Sequence, residues 1–328
     1  MQKIKVFING FGRIGRSTLR ILLQKERFEV VGINDIYPFS QMRDLLKYDS
    51  IYKEFEKEVI LDNIRLLIEG SKIKLYNLKD PKDLNLEGVD LLLECSGLYL
   101  TKESNEIFLS QGAKRVIIST PPKDDMPRFI IDVNHKEFRG EKIVSNSSCS
   151  ANAIVPILKI LDSSFTITSA SFSMFHSYTA YQKLLDVKHY SKDIRRSRSA
   201  TQNIEPLMSS ADGEVLSFFP HLKNRLYAKS IRVPLSATTL YDITLSIKEK
   251  TKVDSLNTLL TEGAKNYDKI SINKKPLVSS DFIKDENAAV IDLTLTQVVD
   301  KDLIKVFAWQ DNEYGYAYQL VRLAEELG

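Results

Sequence analysis

A chain of 328 residues exceeds what one hydrophobic core usually serves, so two domains are expected. Hydrophobic residues make up 43% and charged residues 27%, as in an ordinary soluble globular protein, and a net charge of +3 excludes the strongly basic footprint of a general nucleic-acid binder. Two cysteines, Cys95 and Cys149, exclude a disulfide scaffold and point to a reducing cytoplasm; no apolar run nears the ~18 residues of a membrane span, and Met1 leads into KIKVFING rather than a signal peptide.

In chain order, residues 3–8 read as a short buried strand. Gly10, Gly12 and Gly15 follow as G-x-G-x-x-G, and Leu19, Ile21, Leu22 and Leu23 supply the apolar face of a helix. Strand, glycine spacing and helix together predict a dinucleotide-binding turn. Gly10 allows the tight turn, Gly12 lets the backbone approach a pyrophosphate, and Gly15 lets helix and strand pack closely. The helix N-terminus offers its N–H groups and the positive end of its dipole to the phosphates. A second strand, FEVVGIND, ends at Asp35, twenty residues after Gly15, where a carboxylate accepts hydrogen bonds from ribose hydroxyls. A 2′-phosphate would be repelled there, so NAD is favoured over NADP.

GVDLLLECSG (88–97) and AKRVIISTPP (113–122) read as further parallel strands. Ligands collect at the carboxyl ends of such strands, which places Ser96, Gly97, Ser119 and Thr120 beside the cofactor. Cys95, inside the first of these, is expected to be a buried small hydrophobe.

KIVSNSSC (142–149) breaks from strand into polar residues just before Cys149. CSANAIVPILKILDSS then shows helical apolar spacing, so Cys149 is expected at a helix N-terminus, where the thiol pKa falls and the thiolate gains. Pro156 lies inside this helix and is expected to kink it unless it falls in the first turn. A nucleophilic thiol needs a base. Of the four histidines, His176 stands at the tip of an alternating strand-like run. His135, His189 and His221 read as solvated or structural.

INGFGRIGR, GIND, LLKYDS, SNSSC, HSYT, RRSRSATQNIEP, RVP and WQDNEYGYA stand in one order across nearly the whole chain. In these motifs the chain resembles the glyceraldehyde-3-phosphate dehydrogenase family. The resemblance implies an α/β chain: an N-terminal Rossmann NAD-binding domain, 1–148, completed by a C-terminal helix, 313–328. An α+β catalytic domain with a mixed or antiparallel sheet, 149–312, is implied for the rest. It also implies a homotetramer, no metal, and a phosphorylated aldehyde and inorganic phosphate as partners, with neither membrane nor specific nucleic acid.

The same resemblance assigns roles. Cys149 is the nucleophile that forms a thiohemiacetal and then a thioester, and His176 is its base. Hydride passes to the nicotinamide, and phosphate releases an acyl phosphate. Gly10, Phe11, Gly12, Arg13, Ile14, Asp35, Lys79, Ser96, Gly97, Ser119, Asn312 and Tyr316 are the cofactor residues it implies. Ser148, Ser150, Thr179, Arg195, Arg196, Ser209, Ser210 and Arg232 are the implied phosphate ligands; arginine suits this task because a guanidinium grips oxyanions in pairs.

Some positions depart from the pattern. Ala153 replaces a second cysteine. Ala180-Tyr181 replaces the usual Asn-Asp, removing a carboxylate beside the phosphate ligands. Ser209 and Ser210 stand where the family has Thr-Gly, and Ser210 adds a side chain where bare backbone would approach phosphate. FFPHLKNRL and PLVSSDF resemble the erythrose-4-phosphate dehydrogenase branch, in which water resolves the thioester, whereas Thr179 matches the phosphorylating branch. A catalytically idle interaction or RNA-binding relative is the alternative of another class.

Overall fold

The chain divides into two units, one running to Ser148 and joined by Ala317–Gly328, the other spanning Cys149–Tyr316. The computed structural model describes residues 2–208 and 211–328.

The first unit contains β1 (Ile4–Asn9), α1 (Arg13–Leu22), β2 (Phe28–Asn34), α2 (Phe39–Lys47), β3 (Ile60–Asp62), β4 (Arg65–Ile68) and β5 (Ser71–Tyr76). After these come β6 (Leu91–Glu94), α3 (Lys102–Ser110), β7 (Arg115–Ile118) and β8 (Ile143–Ser145). The strands form one sheet in the order β3-β4-β5-β2-β1-β6-β7-β8. From β5 to β8 every pairing is parallel, and β3 and β4 add an antiparallel edge. Its central strands are apolar on both faces because both are covered: Val6, Ile8, Leu91, Leu92 and Leu93 are fully buried. The strand reversal between β1 and β6 leaves the glycine turn at the carboxyl ends of two neighbouring strands, where such sheets open a crevice.

Two glycines make this turn possible. Gly10 has φ +91°, and a Cβ there would sit 2.4 Å from the Ser96 nitrogen. Gly15 lies inside α1, which starts two residues before it, and a Cβ there would sit 2.1 Å from the Gly10 carbonyl oxygen.

The strand expected over 88–97 is shorter. β6 ends at Glu94, and Cys95 lies just past it rather than inside. The cause is local: the Ser96 N–H leaves the ladder and donates to the Glu94 carboxylate at 2.7 Å, and Gly97 turns with φ +71°.

The second unit contains α4 (Cys149–Asp162), β9 (Ile167–Ser177), β10 (Glu205–Met208), α5 (Ala211–Phe218), β11 (Leu226–Val233), β12 (Thr239–Ile247) and α6 (Val253–Ala264). Next come β13 (Ile270–Asn273), β14 (Ala289–Val299), β15 (Leu303–Gln310) and α7 (Tyr314–Leu327), whose later residues belong to the first unit. Its mixed sheet runs β10-β11-β9-β12-β15-β14-β13, with β11/β9 and β13/β14 parallel and the other pairs antiparallel.

α4 continues through Pro156, its eighth residue. The proline forgoes one backbone bond, a cost of about 3 kcal/mol. Ile154, Val155, Ile157, Leu158 and Leu161 are all 0% exposed around it. At roughly 2 kcal/mol each, their burial outweighs that cost.

One feature of register positions the chemistry. Glu205 lies opposite Arg232, Arg232 opposite His176, His176 opposite Thr239, and Thr239 opposite Gln310. Directly paired residues point to the same face, so these five side chains form a single row across five strands. Among the described residues no helix is long and apolar enough to cross a membrane.

Gly15→Ala should destabilise the first unit by about 1–3 kcal/mol, because the new methyl meets backbone that cannot move aside. Thermal unfolding would show a lowered midpoint; an unchanged one would mean that the turn relaxes.

Candidate active site

In the first unit a cavity of about 250 Å³ opens at the glycine turn, bordered by Gly10, Gly12, Asp35, Lys79, Ser96 and Tyr99. Gly12 caps α1 with no side-chain hydrogen bond, the first turn carries no acid, and among the described residues nothing beyond its own chain neighbours lies within 4 Å of where its Cβ would be. The bare backbone and the positive dipole end therefore face open space, which fits an approaching pyrophosphate. The Asp35 carboxylate accepts the N–H of Phe11 and, at 3.3 Å, that of Tyr37. It thus ties the glycine turn to the end of β2 while bordering the cavity.

Several residues contribute differently from the pattern their motif suggests. Phe11 is 1% exposed and offers no side chain to the cavity. The Arg13 guanidinium pairs with Asp49 and lies over the Tyr52 ring, so only backbone at Arg13 and Ile14 remains for phosphate. Ser119 is buried near the Cys95 thiol, and Gly97 follows Ser96 in the turn after β6. Cys95 borders the cavity, and burial pushes its thiol up to about 12, helped by the Glu94 charge.

Glu94 carries no ligand-type motif and was not legible as a site residue. It is 1% exposed, accepts from Asn9 Nδ2 and from the Ser96 N–H and hydroxyl, and burial pushes its carboxyl up to about 7. It thereby fixes the turn that closes one side of the cavity.

In the second unit, Cys149 is the first residue of α4 and His176 the penultimate residue of β9. Their reactive atoms, Cys149 Sγ and His176 Nε2, are 3.8 Å apart. Gln310, at the far end of the transverse row, donates to the Cys149 carbonyl at 3.1 Å and accepts from the buried Tyr241 hydroxyl at 2.7 Å. Gln310 and Tyr241 escaped sequence reading because neither stands near Cys149 along the chain. Asn312 accepts from the Ser177 hydroxyl at 2.9 Å, and Tyr316 is buried in the first turn of α7. The other histidines lie elsewhere: His135 accepts the Asp132 N–H, His189 packs against Tyr181 and Tyr190, and His221 faces Asp162.

The electrostatics correct one expectation. The thiol is not lowered: burial pushes Cys149 up, against the Arg232 charge, the Ser150 hydroxyl and the N–H groups of the helix start. Burial and then Arg232 push His176 down to about 3, against its bond to the Ser177 carbonyl. Partial desolvation of each lone charge thus favours the neutral form of both groups. The imidazole tautomer then matters. Nδ1 lies 2.7 Å from the Ser177 carbonyl oxygen, and Arg232 also donates to Nδ1 and, at 3.0 Å, to that carbonyl. Nδ1 can serve only one of these: as a donor to the carbonyl it leaves the Nε2 lone pair facing sulfur as a base.

The phosphate candidates separate clearly. Arg195 is held by both oxygens of Asp193. Arg196 lies over the Tyr181 ring, 5.4 Å from its centroid, and has no ion-pair partner among the described residues. The aromatic ring holds the guanidinium without neutralising it. Thr179 bonds to Gln182, Ser150 is buried beside the sulfur, and Ser148 is the last residue of the first unit. Ser209 and Ser210 lie outside the described residues.

Two outcomes are expected. First, a carboxyl raised from 4.5 to about 7 contributes stability below the lower value that is lost as pH rises through the upper. The melting-temperature difference between Glu94→Gln and the parent should therefore move in the variant's favour between those pH values; a flat difference would mean that Glu94 does not titrate there. Second, His176→Asn should slow alkylation of Cys149 by a neutral reagent near pH 7 by at least about tenfold. Because Cys95 borders the cavity of the first unit, the comparison is made in a Cys95→Ser background. An unchanged rate would show that His176 does not assist the sulfur.

Comparison with known proteins agrees with this geometry. Residues 4–102 match the glyceraldehyde 3-phosphate dehydrogenase NAD binding domain and residues 148–312 the C-terminal domain of the same family. The chain is 39% identical to glyceraldehyde-3-phosphate dehydrogenase of Helicobacter pylori, over 98% of both chains. It is 35% identical to glyceraldehyde-3-phosphate dehydrogenase 2 of Bacillus subtilis, over 98% of this chain and 96% of that one. It is 37% identical to the chloroplastic glyceraldehyde-3-phosphate dehydrogenase A of Chlamydomonas reinhardtii, over 99% of this chain and 88% of that one. With an NAD-binding domain followed by a closely apposed Cys–His pair, this chain belongs to the glyceraldehyde-3-phosphate dehydrogenase family.

Proposed function

We propose that this enzyme oxidises glyceraldehyde 3-phosphate in an NAD-dependent, phosphorylating reaction, as a cytoplasmic homotetramer. The 3.8 Å approach of Cys149 Sγ to His176 Nε2 carries this reading. The thiol proton moves to Nε2 while Nδ1–H holds the Ser177 carbonyl, and the sulfur attacks the aldehyde carbon. The new oxyanion forms beside the N–H groups at the start of α4 and is stabilised there. The imidazolium returns its proton to that oxygen, giving the neutral thiohemiacetal, and His176 would take the hydroxyl proton back as hydride leaves for the bound cofactor. NAD, when bound by the glycine turn, Asp35 and their neighbours, supplies the hydride acceptor. The remaining thioester is open to attack by inorganic phosphate held by Arg196 and Arg232.

Arg232 links substrate to base. It lowers His176 by its charge and competes for Nδ1. An anion that engages the guanidinium screens that charge and frees Nδ1, so the imidazole becomes more basic once a phosphate is present. The tetramer reading is supported by exposed apolar side chains in one segment of the second unit: Leu184, Leu185, Tyr190, Ile194 and Ile204 are each more than half exposed. The unpaired state of both cysteines supports a reducing compartment.

The deciding experiment assays purified protein with glyceraldehyde 3-phosphate and with erythrose 4-phosphate, each with and without inorganic phosphate. NADH formation with the triose should require phosphate, and Cys149→Ser should abolish it. Phosphate-independent turnover of the tetrose would reverse the assignment to the erythrose-4-phosphate branch.

A further inference from the structure

Glu205 is an unusual neighbour for an anion site. It is the first residue of β10, 5% exposed, and lies directly opposite Arg232 on β11. Paired residues share a face, so the carboxylate joins the same row as Arg232 and His176. Arg232 and Arg196 both act electrostatically on it, and burial outweighs them in raising its carboxyl. Yet no ion pair within 4 Å joins Glu205 to either arginine among the described residues. Glu205 Oε1 is buried without a hydrogen-bond donor, and Arg232 Nε is buried without an acceptor.

A buried acceptor and a buried donor, both unpaired and side by side, are costly unless something satisfies both. Asp193 already engages Arg195, while Arg196 keeps its donors available above the Tyr181 ring. The complementary ligand is a small anion that accepts from guanidinium groups and donates one hydrogen to a carboxylate. Inorganic hydrogenphosphate has that pattern: unprotonated P–O oxygens for the arginines and one P–OH for Glu205. Sulfate has only acceptors at neutral pH. The fully ionised phosphate of a monoester likewise has none to donate.

We propose that Glu205 is a specificity-determining residue that, with Arg196 and Arg232, makes the site select an oxyanion still carrying a hydrogen, inorganic phosphate, and reject sulfate. This rests on the reading that these arginines hold phosphate. Site-built hydrogen bonds discriminate strongly because an analogue lacking the partner leaves a buried group unpaired. The selection is achieved by an acceptor and needs no steric filter, since the two anions have nearly the same size and shape.

The test uses the full chain and two readouts. Calorimetric titration compares inorganic phosphate with sulfate directly, and initial rates at saturating aldehyde and NAD compare them in turnover, with sulfate as competitor and arsenate as alternative acceptor. Phosphate should bind at least about tenfold more tightly than sulfate, and arsenate should replace phosphate. In Glu205→Gln the amide can donate to either anion, so the phosphate-to-sulfate ratio should fall by about tenfold, while Glu205→Asp should retain part of it. Equal binding of the two anions by the parent protein overturns the proposal even if the variants do not fold, and so does an unchanged ratio in a folded Glu205→Gln. If turnover ignores phosphate while calorimetry still shows the preference, the phosphorylating reading fails and the pocket assignment stands.

Discussion

The close approach of a half-buried thiol to a buried imidazole organises the site of the second unit. The sulfur and the imidazole meet at 3.8 Å where the start of an almost fully buried helix reaches one row of side chains across a mixed sheet. In that environment a single charge is expensive, so burial raises the thiol and lowers the imidazole. A proton shift between them creates two opposite charges in contact, which attract strongly in a low dielectric. Burial thus favours the neutral pair, and an adjoining cation bears on both groups. Arg232 is that cation, sharing both Nδ1 and the Ser177 carbonyl with the imidazole.

The row extends this logic to both ends. Gln310 and Tyr241 hold the backbone of Cys149 at one end, and Glu205 meets Arg232 at the other. Strand pairing fixes the backbone register of each member, so these side chains start from neighbouring positions on one face. Tyr181 and Asp193 then sort two adjacent arginines: one is neutralised by a carboxylate, and the other keeps its charge above an aromatic face.

The first unit uses carboxylates for a different purpose. Asp35 and Glu94 accept backbone N–H groups of Phe11 and Ser96, so two turns at neighbouring strand ends are tied down by side-chain carboxyl groups. Gly12, by contrast, contributes by having no side chain and no close neighbour. The cavity is thus hydrogen-bonded around its rim and open at the N-terminus of α1.

Much of this was legible in residue order. Glycine spacing, the acid twenty residues later, and a cysteine at the head of an apolar helical run are local patterns, because strand, turn and helix periodicities act over a few residues. They determined the glycine turn of the NAD-binding domain, the position of Asp35, the helix headed by Cys149 and the strand that carries His176. Only the tertiary structure decided which way the thiol pKa moves, why β6 stops before Cys95, which of Arg195 and Arg196 stays unpaired, and that Glu205, Arg232, His176, Thr239 and Gln310 share one face. Those facts depend on burial and on register between strands far apart in the chain, and neither is written in the spacing of neighbouring residues.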